Sequence, residues 1–343
     1  MTGVGDAPLR AWLPAFLVVS LAWGSSFLFI AIALREFTPV QVGFGRVAIG
    51  AVVLLGMVAW TKNWPHLSWK NVGAIAIVAV FMSGIPLVLI PMAEQQITST
   101  LASLLNASTP LWTALFVALL IPAEKVNRLQ LTGLVIGALG IAVLLGAWNV
   151  HSFPLLGAGL MLGATACYGI GGTLSRVLLN RVQESNVTLA ATQIGLSALM
   201  LAPFVLMSPT PAPTAFELSS GAMWALIALG VLGTSFAYVL FWRVVKVAGA
   251  TTAASVTYVV PVVATFLGVV VLGDHLPWYE LAGAGIVFVG VALAGRKKRP
   301  VMVAEEGLAA QPAIAGASQI EELPELGEET SEDARVAEST REV

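Results

Sequence analysis

Charge is scarce in this chain. Asp, Glu, Lys and Arg make up 10 % of its 343 residues, against 57 % hydrophobic; an ordinary soluble domain carries about 25 % charged residues. A soluble globular fold is thereby excluded. A single cysteine, Cys167, excludes an internal disulfide and a Cys-based zinc cluster. The three histidines, His66, His151 and His275, all fall in polar breaks between apolar runs. Ser235 in "GTSFAY" is faintly like a protease nucleophile, but no run supplies the histidine base it would need. No catalytic residue, metal, cofactor or nucleic-acid partner is expected. No acidic residue lies in the interior of an apolar run either. Glu36, Glu94, Glu124, Glu184, Glu217, Asp274 and Glu280 stand at the ends of runs or between them. Proton-coupled carriers commonly use a buried carboxylate relay, and its absence points to facilitated diffusion or exchange.

What the chain does have is long apolar runs. About 20 apolar residues let a helix cross a bilayer core of about 30 Å. Polar breaks leave ten segments, at 12–34, 39–60, 72–92, 97–121, 130–147, 155–175, 187–207, 221–242, 250–272 and 278–295. The first run is too long for a signal-peptide core and is read as a retained helix. With the N-terminus inside, 13 Lys and Arg residues fall on the inner side and Arg35 alone on the outer side. That split follows the positive-inside rule, so both termini are expected to be cytoplasmic in a multi-pass cell-membrane protein. Residues 300–343 hold 11 of the 19 acidic residues and only Arg335 and Arg341 as bases. With no aromatics, this tail cannot bury enough surface to order itself.

The segments repeat. An offset of 151 superposes Pro110 on Pro261, and after a one-residue gap Glu124 falls on Asp274, Gly133 on Gly283 and Gly140 on Gly290. Five spans per half is an odd number, so the halves lie upside-down relative to each other, as in many secondary transporters. The expected fold class is an all-α polytopic membrane protein: ten transmembrane helices in two inverted five-helix repeats. The parts are a cytoplasmic N-terminus (1–11), a first repeat (12–147), a second repeat (155–295), and a basic stop followed by the acidic tail (296–343).

Polar residues inside the runs nominate a site. Ser99, Ser103, Asn106 and Thr113 recur at helical spacing in the fourth run, with Pro110 beside them; Thr251, Ser255, Tyr258 and Thr265 do so in the ninth, with Pro261. Each proline removes an amide donor and frees the carbonyl four residues back, at Asn106 and Thr257. That predicts a bend at Pro110 and at Pro261, either static and satisfied by a neighbouring hydroxyl or lining a cavity. Arg46 lies seven residues past Pro39, about 10 Å into the second run. Gly43 and Gly50 share its stripe, so this face packs against another helix and the guanidinium avoids lipid. Three roles compete for Arg46: substrate recognition, donation to interhelical carbonyls, and snorkelling to headgroups. Gln193 is its counterpart in the second half. Trp23, Tyr168, Tyr238, Trp242 and Tyr258 cluster on runs flanking a midplane site, whereas Trp12, Trp60, Trp64, Trp69, Trp148 and Trp278 stand at run ends as interfacial anchors. Glycines at 133, 137, 140, 283 and 290 suit tight packing within one chain better than a dimer seam, though a homodimer stays open.

The segments "WGSSF" at 23–27, Arg46, "STPLWTALF" and "VPVVATFLG" around Pro110 and Pro261, and Glu124 and Asp274 before "LQLTG" and "YELAG" resemble the EamA-type branch of the drug/metabolite transporter superfamily. The likeness runs over about residues 12–295. It implies ten helices, inverted halves and movement of small metabolites, often outward. Asp274 departs from the Glu usual there. The membrane-embedded first-helix Glu of the small multidrug relatives is missing, which argues against their cation antiport.

Two transport readings stay open. In the first, the chain exports a small amphipathic anion or zwitterion such as an amino acid. Arg46, Trp23, Ser103, Asn106, Tyr168, Gln193, Tyr238, Ser255 and Tyr258 would line its site, and Pro110 and Pro261 would be hinges. In the second it is a multidrug exporter with an aromatic cavity and a structural Arg46.

Overall fold

The computed structural model describes residues 8–62, 64–65, 67–121, 128–146, 148, 154–179, 182–207 and 220–294, without the side chains of 249–251 and 254. The acidic tail, the Pro-rich 208–219 connection, Glu124 and the basic stop lie outside the described residues.

The described residues form helices and no strands. In chain order these are α1 (Leu9–Ala33), α2 (Pro39–Thr61), α3 (Trp69–Ala79), a π-helical turn (Val80–Gly84), α4 (Pro86–Glu94), α5 (Ser99–Asn106), α6 (Thr109–Leu120) and α7 (Arg128–Leu144). There follow α8 (Leu155–Leu178), α9 (Asn186–Leu206), α10 (Gly221–Gly230), a second π turn (Val231–Phe236), α11 (Ala237–Ala254), α12 (Val256–Leu267), a third π turn (Gly268–Leu272) and α13 (Trp278–Ala294). Seven stretches are long and apolar enough to cross a membrane: Leu9–Ala33, Pro39–Thr61, Trp69–Glu94, Ser99–Leu120, Leu155–Leu178, Asn186–Leu206 and Gly221–Ala248. Three shorter apolar helices accompany them, Arg128–Leu144, Val256–Leu272 and Trp278–Ala294.

Hydroxyl caps start many of these helices. Thr38 and Gln41 make a reciprocal capping box before α2, with Pro39 at the first position, where its missing amide costs nothing. Ser68, Thr98, Ser185 and Ser220 accept amide hydrogen bonds ahead of α3, α5, α9 and α10. Two boundaries differ from the sequence expectation. The fourth run is broken at Ala107–Ser108, so Ser99, Ser103 and Asn106 stand on α5 and Thr113 on α6. The break expected at 243–249 is helical instead, and α11 continues to Ala254. That stretch carries Arg243 and Lys246 but no proline, and Gly249 alone does not stop a helix.

Packing joins early helices to late ones. α1 lies against α10, α11 and α12; α8 lies against α3, α4, α5 and α6; α2 pairs with α9, and α7 with α13. The α7–α13 pair is the tightest. A Cβ on Gly140 would come within 2.6 Å of the Val287 nitrogen, one on Gly290 within 2.7 Å of the Gly133 carbonyl, and one on Gly283 within 2.5 Å of Leu144 Cβ. The glycine stripes thus face each other within one chain. Gly140→Val is expected to cost about 1–3 kcal/mol by overpacking, read as a lowered unfolding midpoint in detergent. Gly285→Val, with nothing within 4 Å of its added Cβ, should leave the midpoint unchanged.

Candidate functional site

Arg46 sits on α2 and is 5 % exposed. The small residues on its stripe make that burial feasible: a Cβ at Gly43 would lie 2.6 Å from the Leu87 carbonyl, and one at Gly50 would lie 2.9 Å from Thr234 Cγ2. The guanidinium reaches the π turn at 231–236. Its Nε donates to Thr234 Oγ1 at 2.9 Å and its Nη2 to the Gly233 carbonyl at 3.0 Å. Trp23 Nε1 donates to the same carbonyl at 3.2 Å. Thr234 passes its own hydroxyl proton to the Leu229 carbonyl at 2.9 Å. The hydroxyls of Tyr168 and Tyr238 and the carboxyl of Glu94 lie within electrostatic reach of the guanidinium.

The Gly233 carbonyl is available because of the π turn. The Ala237 amide, its ordinary helical partner, bonds Leu232 and Thr234 instead. An arginine and a tryptophan take up the acceptor so released. The turn at 80–84 does the equivalent by another route. Pro86 has no amide to close onto Met82, and Tyr238 donates its hydroxyl to the Met82 carbonyl at 2.7 Å. Beside it, Gln193 Nε2 donates to Ser83 Oγ at 3.1 Å, and Ser83 lies 2.8 Å from Ser197 Oγ. Gln193 Oε1 is buried without a partner among the described residues. Trp23 also packs on Tyr238 and Phe241, with ring centroids 5.8 and 5.2 Å apart.

Arg46 and Trp23 thus meet the π turn at 231–236, Tyr238 and Gln193 meet the one at 80–84, and Tyr168 lies within electrostatic reach of Arg46 and Tyr238. Ser103, Ser255 and Tyr258 do not join that network. Ser103 bonds the Thr100 carbonyl and Ser255 the Thr252 carbonyl, each three residues back. Tyr258 packs on Phe288 beside Leu111 and Val287. Asn106 is buried with Oδ1 unpartnered among the described residues, and Thr109 Oγ1 donates to its proline-freed carbonyl at 2.8 Å. The bend at Pro110 is thus satisfied by a neighbouring hydroxyl. Ser235 donates to the Gly230 and Gly50 carbonyls, at 2.8 and 3.2 Å, and so serves packing. Sequence reasoning missed Ser83, Ser197, Gly233 and Thr234. The offset of 151 that links the prolines also places Ser83 on Thr234, and that was the available signal.

A second polar group gathers at the start of α5, where the 273–277 connection comes against it. Asp274 Oδ2 accepts from the Thr100 amide at 3.0 Å and the Thr100 hydroxyl at 2.8 Å, reinforcing the start of α5 with a charged acceptor. Ser99 Oγ lies 2.7 Å from Glu94 Oε2. Glu280, in the first turn of α13, is 6 % exposed. Asp274 is within electrostatic reach of both glutamates. These carboxyls stand at helix ends, as expected, but the fold buries oxygens of Glu94 and Glu280 there.

The Tyr238–Met82 bond can be checked by a double-mutant cycle. Tyr238→Phe should cost about 1 kcal/mol of stability. In a Pro86→Ala background the loss should shrink, because the new amide competes for the Met82 carbonyl. Equilibrium unfolding in mixed micelles reads both.

Comparison with known proteins agrees with this architecture. An uncharacterized transporter of Archaeoglobus fulgidus is 27 % identical over 81 % of this chain and 95 % of its own length. An uncharacterized inner membrane transporter of Escherichia coli is 25 % identical over 83 % of this chain and 91 % of its own. A probable terminal-alkyne amino-acid exporter of Streptantibioticus cattleyicolor is 25 % identical over 82 % and 93 %. A solved crystal structure 21 % identical to the chain superposes with a TM-score of 0.56, covering 84 % of this chain and 98 % of the other, and shares its fold. Residues 10–146 and again residues 155–296 match one family of multi-pass membrane carriers, and the chain belongs to that family, the EamA-like transporter family.

Proposed function

We propose that the protein exports a small organic metabolite bearing an anionic group, an amino acid or similar zwitterion, by alternating access between two inverted five-helix halves that make ten spans. The family assignment supports transport. The repeat is supported by the two separate family matches and by the pairing pattern, in which α1 meets the late helices α10–α12 as α8 meets the early helices α3–α6. The orientation rests on the Lys and Arg distribution, which puts the 34–38, 95–98 and 273–277 connections outside. The amino-acid class draws on the name given to one relative.

One observation carries the substrate assignment. Arg46 is buried between the halves with only Nε and Nη2 bonded to described residues, leaving Nη1 to meet an anion with the tyrosines alongside. The multidrug reading has its own support: two guanidinium nitrogens are already taken by protein acceptors, the geometry of a structural arginine.

Counterflow in proteoliposomes loaded with a panel of amino acids separates the two. Arg46→Ala should lower exchange of carboxylate-bearing cargo at least tenfold, with Arg46→Lys intermediate. Unchanged flux for every cargo would leave Arg46 structural and favour the multidrug reading. Reporter fusions at the two ends should both report cytoplasm; opposite signs would remove the inverted arrangement.

A further inference from the structure

The π turns at 80–84 and 231–236 stand at matching positions in the sequence. The offset of 151 that superposes Pro110 on Pro261 carries Met82 onto Gly233 and Ser83 onto Thr234. The helices that reach the turns match as well. Ser185, the cap of α9, lies 147 residues after Thr38, the cap of α2, and the same step carries Arg46 onto Gln193 and Gly50 onto Ser197. We propose that the two contacts so formed are reciprocal latches: Arg46 holds α2 to the turn at 231–236, Gln193 holds α9 to the turn at 80–84, and each opens only while the other is closed. The latches rest on the alternating-access reading above, not on its cargo.

The contacts match one by one. Arg46 Nε donates to Thr234 Oγ1 at 2.9 Å, and Gln193 Nε2 donates to Ser83 Oγ at 3.1 Å. Behind each hydroxyl stands the next equivalent pair: a Cβ on Gly50 would lie 2.9 Å from Thr234 Cγ2, and Ser197 Oγ lies 2.8 Å from Ser83 Oγ. The equivalent carbonyls are both tied by side chains from afar, Gly233 by Arg46 and Trp23, Met82 by Tyr238. Neither carbonyl has its usual helical amide to fall back on, since the Ala237 amide bonds elsewhere and Pro86 has none. A carbonyl within a membrane that loses its donor must meet water. α2 or α9 can therefore draw away from its turn only where a wet crevice follows it. Water at both turns at once would join the two faces of the membrane and let solutes leak, so a carrier opens them in turn.

The test reads latch opening without any cargo. Ser83 and Thr234 are fully buried, so a thiol at either position meets a charged reagent only when its latch is open. Ser83→Cys and Thr234→Cys are made singly in a full-length Cys167→Ala chain. A membrane-impermeant methanethiosulfonate is applied to intact cells and to inverted vesicles. The two variants should react from opposite faces, each at least tenfold faster from its own face. Reaction of both from the same face, or of neither from any face, refutes the latches. Reciprocity is read by bridging one latch and labelling at the other. A Cβ on Gly50 would stand 3.3 Å from Thr234 Cβ, close enough for a disulfide. Oxidising a Gly50→Cys, Thr234→Cys pair should raise the labelling rate at Ser83→Cys several-fold; an unchanged or lower rate refutes reciprocity. Should Gly50→Cys fail to fold, the equivalent Ser83→Cys, Ser197→Cys pair is bridged and Thr234→Cys is labelled. Failure of the amino-acid assignment would leave these outcomes untouched, and the reporter fusions above test the inverted arrangement separately.

Discussion

A guanidinium buried among apolar helices must find acceptors, and the arrangement around Arg46 follows from that requirement. Taking such a charge out of water is tolerable only where its hydrogens meet oxygen. In an ordinary helix each carbonyl already accepts from the amide four residues on, so only its second lone pair is left. The π turn at 231–236 changes this locally by skipping Gly233, and the released carbonyl faces α2. Glycine at 43 and 50 lets α2 come close enough for the reach to be short. Tyr238 completes the same logic from the other direction: two residues past the π segment that serves Arg46, it satisfies the carbonyl left open by Pro86. The π turns at 80–84 and 231–236 thus each present an acceptor to a side chain from a distant part of the sequence, and the helices are keyed together there.

Much of this was legible in the residues. The apolar runs gave the helices because their length and lack of charge admit little else, and the burial of Arg46 followed from the two glycines on its stripe. Pro110 announced a bend, and Thr109 satisfies the carbonyl it frees. The π turns were not legible. A register shift from four to five residues leaves no local signature; it is stabilised by the side chains that arrive from elsewhere, and "VLGTSF" reads as plain helix. The run of α11 through 243–249 escaped for a related reason. Positive charge marks a membrane border, and a border need not coincide with a helix end.

The carboxyls show the same limit. Glu94, Asp274 and Glu280 read as solvated residues at helix ends, the usual fate of such positions. The fold nevertheless takes oxygens of Glu94 and Glu280 out of water and turns Asp274 onto the start of α5. Glu94 closes the stretch Trp69–Glu94 and Glu280 stands in the first turn of Trp278–Ala294, and burial does not stop at a helix end.

The contact between α7 and α13 carries a mechanical consequence. Where glycine faces glycine, backbone touches backbone with no flexible side chains between to take up sliding. Two helices in such contact have no soft coordinate: they shift together or part altogether. The pair therefore behaves as a fixed spine, and any displacement falls to the helices interrupted by prolines and π turns.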